Sequence, residues 1–305
     1  MMFDLVIIGG GPAGISSAIY GASRGLKTLV LEKKMIGGLI GSVSTVTHYS
    51  GIIEEETGES FAKRLKAQAE SAGVAIVMEQ VVDVELEGRV KKIHTEQNTY
   101  EAKAVIIANG TIKRMLGIPG ETEFEGRGIG LNATRDAEKY RGKEIFVVGG
   151  ADGAIKEALY LSQFASKLTI IHFEDQLGAI QEFQEKIKQS NNISVMLHTR
   201  LVAVEGNDCV DTLKIQDEHT KDVKVIKAKG CGVFIYAGST PDTELYDFLD
   251  KKEGYLVTNE KMETKIQGVY AVGDICVKQV RQVATAVADG AIAGVNAANY
   301  SKNWK

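Results

Sequence analysis

The chain has 305 residues, 44% hydrophobic and 25% charged, and its composition is ordinary except for 33 glycines against 3 prolines. That length predicts two domains with ample buried core, and that composition excludes a disordered or collagen-like chain. A formal net charge of −4 with no lysine/arginine block argues against nucleic acid or an anionic membrane as partner.

In chain order, residues 4–8 read as a short buried strand running into glycines, 13–23 as a close-packed helix and 27–32 as the next strand. This βαβ unit opens a doubly wound α/β fold. The apolar stretch 5–23 has Gly9, Gly10, Gly11 and Pro12 near its middle and Asp4 before it, so it predicts strand, turn and helix rather than a signal peptide. Residues 74–90 and 91–99 predict a small β meander, and 103–108 a further strand closing on Asn109 and Gly110. A second βαβ unit follows: strand 144–148, a turn from Gly149 to Ala154, helix 155–164 and strand 168–172. Beyond it come a hairpin (213–215 with 223–227), a buried strand 232–236, a strand at 268–274 and a long apolar helix from about 280 to 300.

The expected fold is two doubly wound dinucleotide-binding domains, the second inserted in the first, each with a small antiparallel meander. The expected boundaries are 1–113, 114–238 and 239–305. Three widely spaced cysteines (Cys209, Cys231, Cys276) with no C-x-x-C pair exclude a secreted disulfide framework and predict a cytoplasmic protein.

Gly9-x-Gly11-x-x-Gly14 lies between the first strand and its helix. The first glycine permits the tight turn, the second lets a pyrophosphate reach the backbone, and the third lets the helix pack on the strand. Glu32, 23 residues after Gly9, ends the second strand, where a carboxylate accepts both ribose hydroxyls and repels a 2′-phosphate. The expected ligand carries an unphosphorylated adenosine. Far downstream, Thr264 to Asp274 matches the T-x-x-x-x-h-Y-A-x-G-D string of FAD-dependent oxidoreductases, whose aspartate binds the ribityl chain.

With Gly37-Gly38, Ile118-Pro119-Gly120, Arg141-Gly142-Lys143, Glu157 to Leu161 and Arg281-Gln282, the chain resembles the low-molecular-weight thioredoxin reductases over nearly its whole length. The resemblance implies a homodimer. It also implies FAD contacts from Gly9, Gly11, Pro12, Ala13, Gly14, Glu32, Lys33, Gly38, Leu39, His48, Val82, Asn109, Gly110, Gly273, Asp274, Arg281, Gln282 and Val283. The helix beginning near Gln282 would aim its positive end at the flavin.

The departures from that family are as informative. Where it carries C-A-T-C-D this chain reads Asn132-Ala133-Thr134-Arg135-Asp136, so dithiol exchange there is chemically impossible. Where NADPH-using relatives read H-R-R-D-x-x-R-A, this chain has His172-Phe173-Glu174-Asp175 and then Gly178-Ala179. All three arginines that fork onto a 2′-phosphate are replaced, and NADPH is not the expected donor. Two readings of this second pocket (Gly150, Ala151, Asp152, His172, Phe173, Glu174) stay open. Either it has lost its ligand, or it holds another adenine nucleotide such as a second FAD, with Phe173 stacking on a ring and Glu174 taking ribose hydroxyls.

His48 stands where relatives have asparagine and is a candidate proton donor, with a packed or solvent-facing ring as the alternative. Cys276 is a candidate single-thiol redox centre, its pKa lowered before a helix start, or else a buried filler. Trp304, the sole tryptophan, reads as a loose end, or as a cover for the flavin or a dimer contact. The expected function is electron transfer through FAD from ferredoxin, flavodoxin or a second flavin. The alternatives are an NADH-dependent ferredoxin- or flavodoxin-type reductase and a non-catalytic flavin-binding sensor or scaffold.

Overall fold

The computed structural model describes residues 2–52 and 56–304. The chain divides into two compact units, Met1–Ile112 with Thr240–Lys305, and Lys113–Ser239. Each crossing lies one residue from the expected boundary. Among the described residues no helix is long and apolar enough to cross a membrane.

The first unit is built on a seven-stranded sheet. Ala75–Val77, Thr28–Leu31, Met2–Ile8 and Thr99–Ile107 run parallel in that order. Val81–Glu85 and Lys91–Thr95 then add an antiparallel arm. The two pieces expected at 91–99 and 103–108 prove partly to be one strand, Thr99–Ile107. Its polar start pairs with Lys91–Thr95 in the arm, while its apolar end pairs in parallel with Val269–Ala271 in the core. The composition changes because the strand passes from a half-exposed surface into a sheet covered on both faces. Ala75–Val77, expected in the meander, is instead a parallel edge strand, too short for alternation to classify.

Helix Gly58–Ser71 was not expected. Thr57 and Ser60 form a reciprocal capping box at its start, and buried Phe61, Ala62, Leu65 and Ala69 recur every three or four residues. The C-terminal helix Val283–Lys302 packs closely on Pro12–Ala22 through glycine. A Cβ added at Gly290 would stand 2.3 Å from the Ala13 carbonyl oxygen, and one at Gly294 2.7 Å from that of Ser17. The two ends of the chain thus share one core, with Leu5, Ile7, Ile15, Ile106, Tyr270 and Ala293 in it. Trp304 is not loose: its ring lies 4.3 Å from the Arg89 guanidinium carbon and 5.6 Å from the Lys103 ammonium.

The second unit has a five-stranded parallel sheet in the order Ile193–Met196, Lys167–Ile171, Glu144–Val148, Gly232–Ile235, Ile129–Gly130. Helices Asp152–Leu161 and Gln181–Gln189 belong to this unit. The expected hairpin is a three-stranded antiparallel sheet, Thr199–Gly206, Val210–Asp217 and Val223–Lys227. Its first strand escaped the reading because irregularities at Leu201/Ala203 and Glu205/Gly206 break the period of two.

Candidate functional site

The first glycine turn joins strand Met2–Ile8 to helix Pro12–Ala22, with Pro12 in the first turn and no side chain capping it. Its glycines have distinct duties. A Cβ at Gly14 would lie 1.9 Å from the Gly9 carbonyl oxygen, and Gly9 itself has φ +111, so both are fixed by the protein's own packing. A Cβ at Gly11 would meet nothing within 4 Å. The middle glycine alone opens on free space, with the uncapped amides of the first turn and the positive helix end beside it. Gly38 shares this cleft, since its Cβ would stand 3.4 Å from the Gly11 Cα.

Glu32 is buried and braces the turn: Oε2 accepts from the Gly10 amide at 2.7 Å and Oε1 from the Lys34 amide at 2.8 Å. Oε1 also accepts from the Met35 amide at 3.3 Å, so the acceptor capacity left for a hydroxyl is on Oε2. Ala13 is buried, Leu39 is exposed, and the Lys33 ammonium is held by Asp242 at 2.7 Å. Asn109 and Gly110 follow the parallel end of Thr99–Ile107, where Asn109 Oδ1 accepts from the Tyr246 hydroxyl at 2.8 Å. His48 is exposed with φ +58. Val82 is exposed at the start of edge strand Val81–Glu85, five residues after Val77, which pairs with Leu31.

The second half of the site comes from the other end of the chain. Val269–Ala271 is parallel to Thr99–Ile107, which carries Gly273 and Asp274 to the same sheet edge as the first turn. Asp274 Oδ1 is buried with no hydrogen-bond partner. Burial raises this carboxyl above the usual carboxylate range, and Lys278 and Arg281 offset part of that. A buried oxygen left without a donor, next to Gly273 whose Cβ would meet that of Ala13, fits the hydroxyl-rich chain of FAD. Arg281 stacks 3.9 Å over the Tyr255 ring, and Gln282 caps the C-terminal helix that starts at Val283, in a box with Thr285.

Of the two readings of Cys276, burial favours the filler. The thiol is 2% exposed, and burial pushes it up to about 12, more than the Lys278 ammonium and the Thr258 hydrogen bond can offset. Such a thiol is a core side chain and not a nucleophile at neutral pH. Cys231 is likewise buried and pushed up to about 12. Labelling the native protein with a thiol reagent at pH 8 should therefore modify Cys209 rapidly and the other two only on unfolding. Rapid modification of Cys276 would contradict this burial.

In the second unit the turn of residues 149–151 leads into helix Asp152–Leu161. His172, expected to line the pocket, instead props the turn: it is 6% exposed, and a Cβ at Gly150 would stand 2.6 Å from its ring. Its Nε2 lies 3.3 Å from the Glu174 carboxylate. Asp152 also looks elsewhere, since its Oδ1 accepts from the Ile180 amide at 2.8 Å. Ala151 and Phe173 are exposed, the latter 43%. Arg200 lies over the Phe173 ring at 4.2 Å and donates through Nε to Glu218 at 2.8 Å. This guanidinium stands on strand Thr199–Gly206, whereas positions 173, 174 and 178 lie in the loop after Lys167–Ile171, and no spacing rule ties residue 200 to residue 173.

At residues 132–136, Asn132 Oδ1 accepts from the Arg135 amide at 3.0 Å and caps the turn. Asp136 is 1% exposed and accepts from the Leu131 and Asn132 amides at 2.9 and 3.1 Å, from Arg135 at 3.2 Å and from Lys139 at 2.8 Å. Although burial opposes ionisation, these donors hold its carboxyl well below the usual range.

A family model described as pyridine nucleotide-disulphide oxidoreductase matches residues 3–290. The thioredoxin reductase of Peptoclostridium acidaminophilum is 39% identical over 98% of this chain and 97% of its own. The crystal structure of Lactococcus lactis thioredoxin reductase in its FR conformation superposes with a TM-score of 0.94 at 34% identity, covering 99% of both chains. A ferredoxin-flavin thioredoxin reductase from Clostridium acetobutylicum matches with a TM-score of 0.53 at 28% identity, over 98% of this chain and 97% of that one. The expected two-domain α/β fold is the fold of these structures. The chain belongs to the pyridine nucleotide-disulphide oxidoreductase family, with the fold of its thioredoxin reductase-like FAD oxidoreductases.

Proposed function

We propose that this FAD oxidoreductase takes electrons from a donor other than NADPH (ferredoxin, flavodoxin or a second bound flavin) and passes them on without a dithiol. The observation that carries the reading is the turn at residues 132–136. Asn132 caps it, Arg135 and Lys139 bind Asp136, and no thiol stands among them. Amide and guanidinium groups form neither a thiolate nor a mixed disulfide. The name of the Clostridium acetobutylicum relative supports ferredoxin as the first donor to test.

FAD would be held by the turn through Gly9, Gly11 and Gly14, by Gly38 and Glu32, and by Gly273, Asp274 and the start of the C-terminal helix. When bound, it supplies reversible uptake of electrons. The chain's own part is to bind and orient. The uncapped amides and helix end beside Gly11 would bind a pyrophosphate, and Asp274 Oδ1, which has no partner, would accept from a hydroxyl. The positive end of helix Val283–Lys302 favours negative charge nearby. We take the working form to be a cytoplasmic homodimer.

A second reading is favoured by exposed Phe173, its stacked Arg200 and the neighbouring Glu174 carboxylate. Together they suit an adenosine with free ribose hydroxyls, as in NADH or a second FAD. Anaerobic mixing of the flavin-loaded protein with each donor tests both readings. Reduced ferredoxin or flavodoxin should bleach the yellow absorbance, whereas NADPH should leave it nearly unchanged. Rapid bleaching by NADPH overturns the donor assignment, and rapid bleaching by NADH selects NADH over a second FAD as the nucleotide of that pocket. Should no donor bleach it, the protein is a flavin-binding sensor or scaffold, and the catalytic reading fails.

A further inference from the structure

Asp289 and Lys278 form an ion pair that neither the glycine turns nor the family strings mark out. Asp289 stands on helix Val283–Lys302 and Lys278 in the segment before it, and their side chains are 15% and 14% exposed. The same Asp289 oxygen that meets the ammonium accepts from the Gly273 amide at 2.9 Å. Gly273 has little room to shift: its φ is +78, and a Cβ there would lie 2.9 Å from the Ala13 Cβ. One carboxylate thus ties the turn that presents Asp274 both to the C-terminal helix and to a cation. Asp274 is in the field of both partners, Lys278 favouring its ionised form and Asp289 opposing it. The pair also lines a cavity of about 270 Å³ with Thr258, Met262, Cys276 and Val280. On that side its charges face open space, and substitutions there create no overpacking.

We infer that the Lys278–Asp289 pair positions the Gly273–Asp274 turn and, by staying neutral as a pair, sets the electrostatic potential at the flavin. The inference rests on FAD lying against Gly273 and Asp274. Both residues act through that turn, so they are positioning residues. Reduction adds negative charge at the site, and an uncompensated charge nearby must shift it in a direction given by its sign.

Asp289→Asn keeps an oxygen for the Gly273 amide but leaves Lys278 unbalanced. The midpoint potential of the bound flavin should rise, on the order of a tenfold change in the reduction equilibrium, or about 30 mV for a two-electron couple. Lys278→Met leaves Asp289 unbalanced and should lower the potential by a similar amount. The double variant should return close to the parent, and Lys278→Arg should not move it. Asp289→Ala, which also removes the acceptor for Gly273, should weaken FAD binding about tenfold as read by flavin titration of the apoprotein.

A purely structural role would move both single variants the same way, and that result, or no shift in either, overturns the inference. If Asp289→Asn fails to fold, Lys278→Met against Lys278→Arg still decides the sign. A parent protein that takes up no FAD would remove the underlying placement of the cofactor instead, so the two failures are distinguishable.

Discussion

A Gly11→Val chain should fold normally and emerge colourless. Gly11 has φ −72 and ψ 179, extended backbone that any residue adopts, and its Cβ would meet no atom within 4 Å. Gly11 is the N-cap of helix Pro12–Ala22, where valine is less favourable than glycine, so the unfolding free energy should fall by only about 1 kcal/mol. The valine methyls nonetheless fill the space in front of the uncapped amides of helix Pro12–Ala22, where the pyrophosphate must approach. Losing several charge-assisted hydrogen bonds at once should weaken FAD binding at least a hundredfold, roughly 3 kcal/mol. The comparison variant is Gly14→Ala, whose new Cβ would lie 1.9 Å from the Gly9 carbonyl oxygen. That change should damage folding itself. Flavin content after reconstitution, set beside urea unfolding, separates the two. A Gly11→Val protein that stayed yellow would show that the open cradle is not where the anion sits.

The contrast between these two glycines explains how much of the molecule was legible from its residues. A glycine demanded by close packing and one demanded by a ligand look alike in a string, but strand, turn and helix in immediate succession make the string specific. Residues 2–32 were therefore readable almost to the residue, as was the second copy from residue 144. Thr99–Ile107 was cut in two because one strand serves two sheet environments. Helix Gly58–Ser71 was overlooked although Thr57 and Ser60 announce its start, because its capping box uses serine where glutamate or glutamine is the usual third residue.

At the candidate site, legibility ended where partners come from distant segments. Gly11, Glu32 and Asp274 follow from local strings. The Arg200 stack on Phe173 and the Asp289 bond to Gly273 span 27 and 16 residues, and only the folded chain brings them together. The partners of His172 and Asp152 were not legible for a related reason: position in a motif gives the Cα, whereas their side chains turn to Gly150 and Ile180. Cys276 stayed open between a lowered thiol and a buried filler because a string shows the nearby helix start but not the burial that raises the thiol.

Asp136 carries the other large effect, and it bears on the altered turn. Asp136→Ala removes the acceptor for two backbone amides, those of Leu131 and Asn132, in a segment whose side chain is 1% exposed. Arg135 and Lys139 are more than half exposed and rehydrate when freed, so the cost comes mainly from the amides. Both bonds are part-buried, so at roughly 1–2 kcal/mol for each donor left unsatisfied the second unit should lose about 2–4 kcal/mol at pH 7. Arg135→Ala should cost well under 1 kcal/mol.

The pH dependence follows from the depressed carboxyl. Its stabilisation is complete above the unfolded carboxylate value of about 3.9 and is lost as pH falls toward the lower folded value. The gap between parent and Asp136→Ala should be constant from pH 7 to 5 and close below about pH 4. Because the chain has two units, hydrogen exchange at the amides of residues 131–141 is a better measure than a single melting temperature. If those amides exchange equally in parent and variant at pH 7, the carboxylate does not hold the turn. The closed geometry that stands in place of a dithiol would then need another cause.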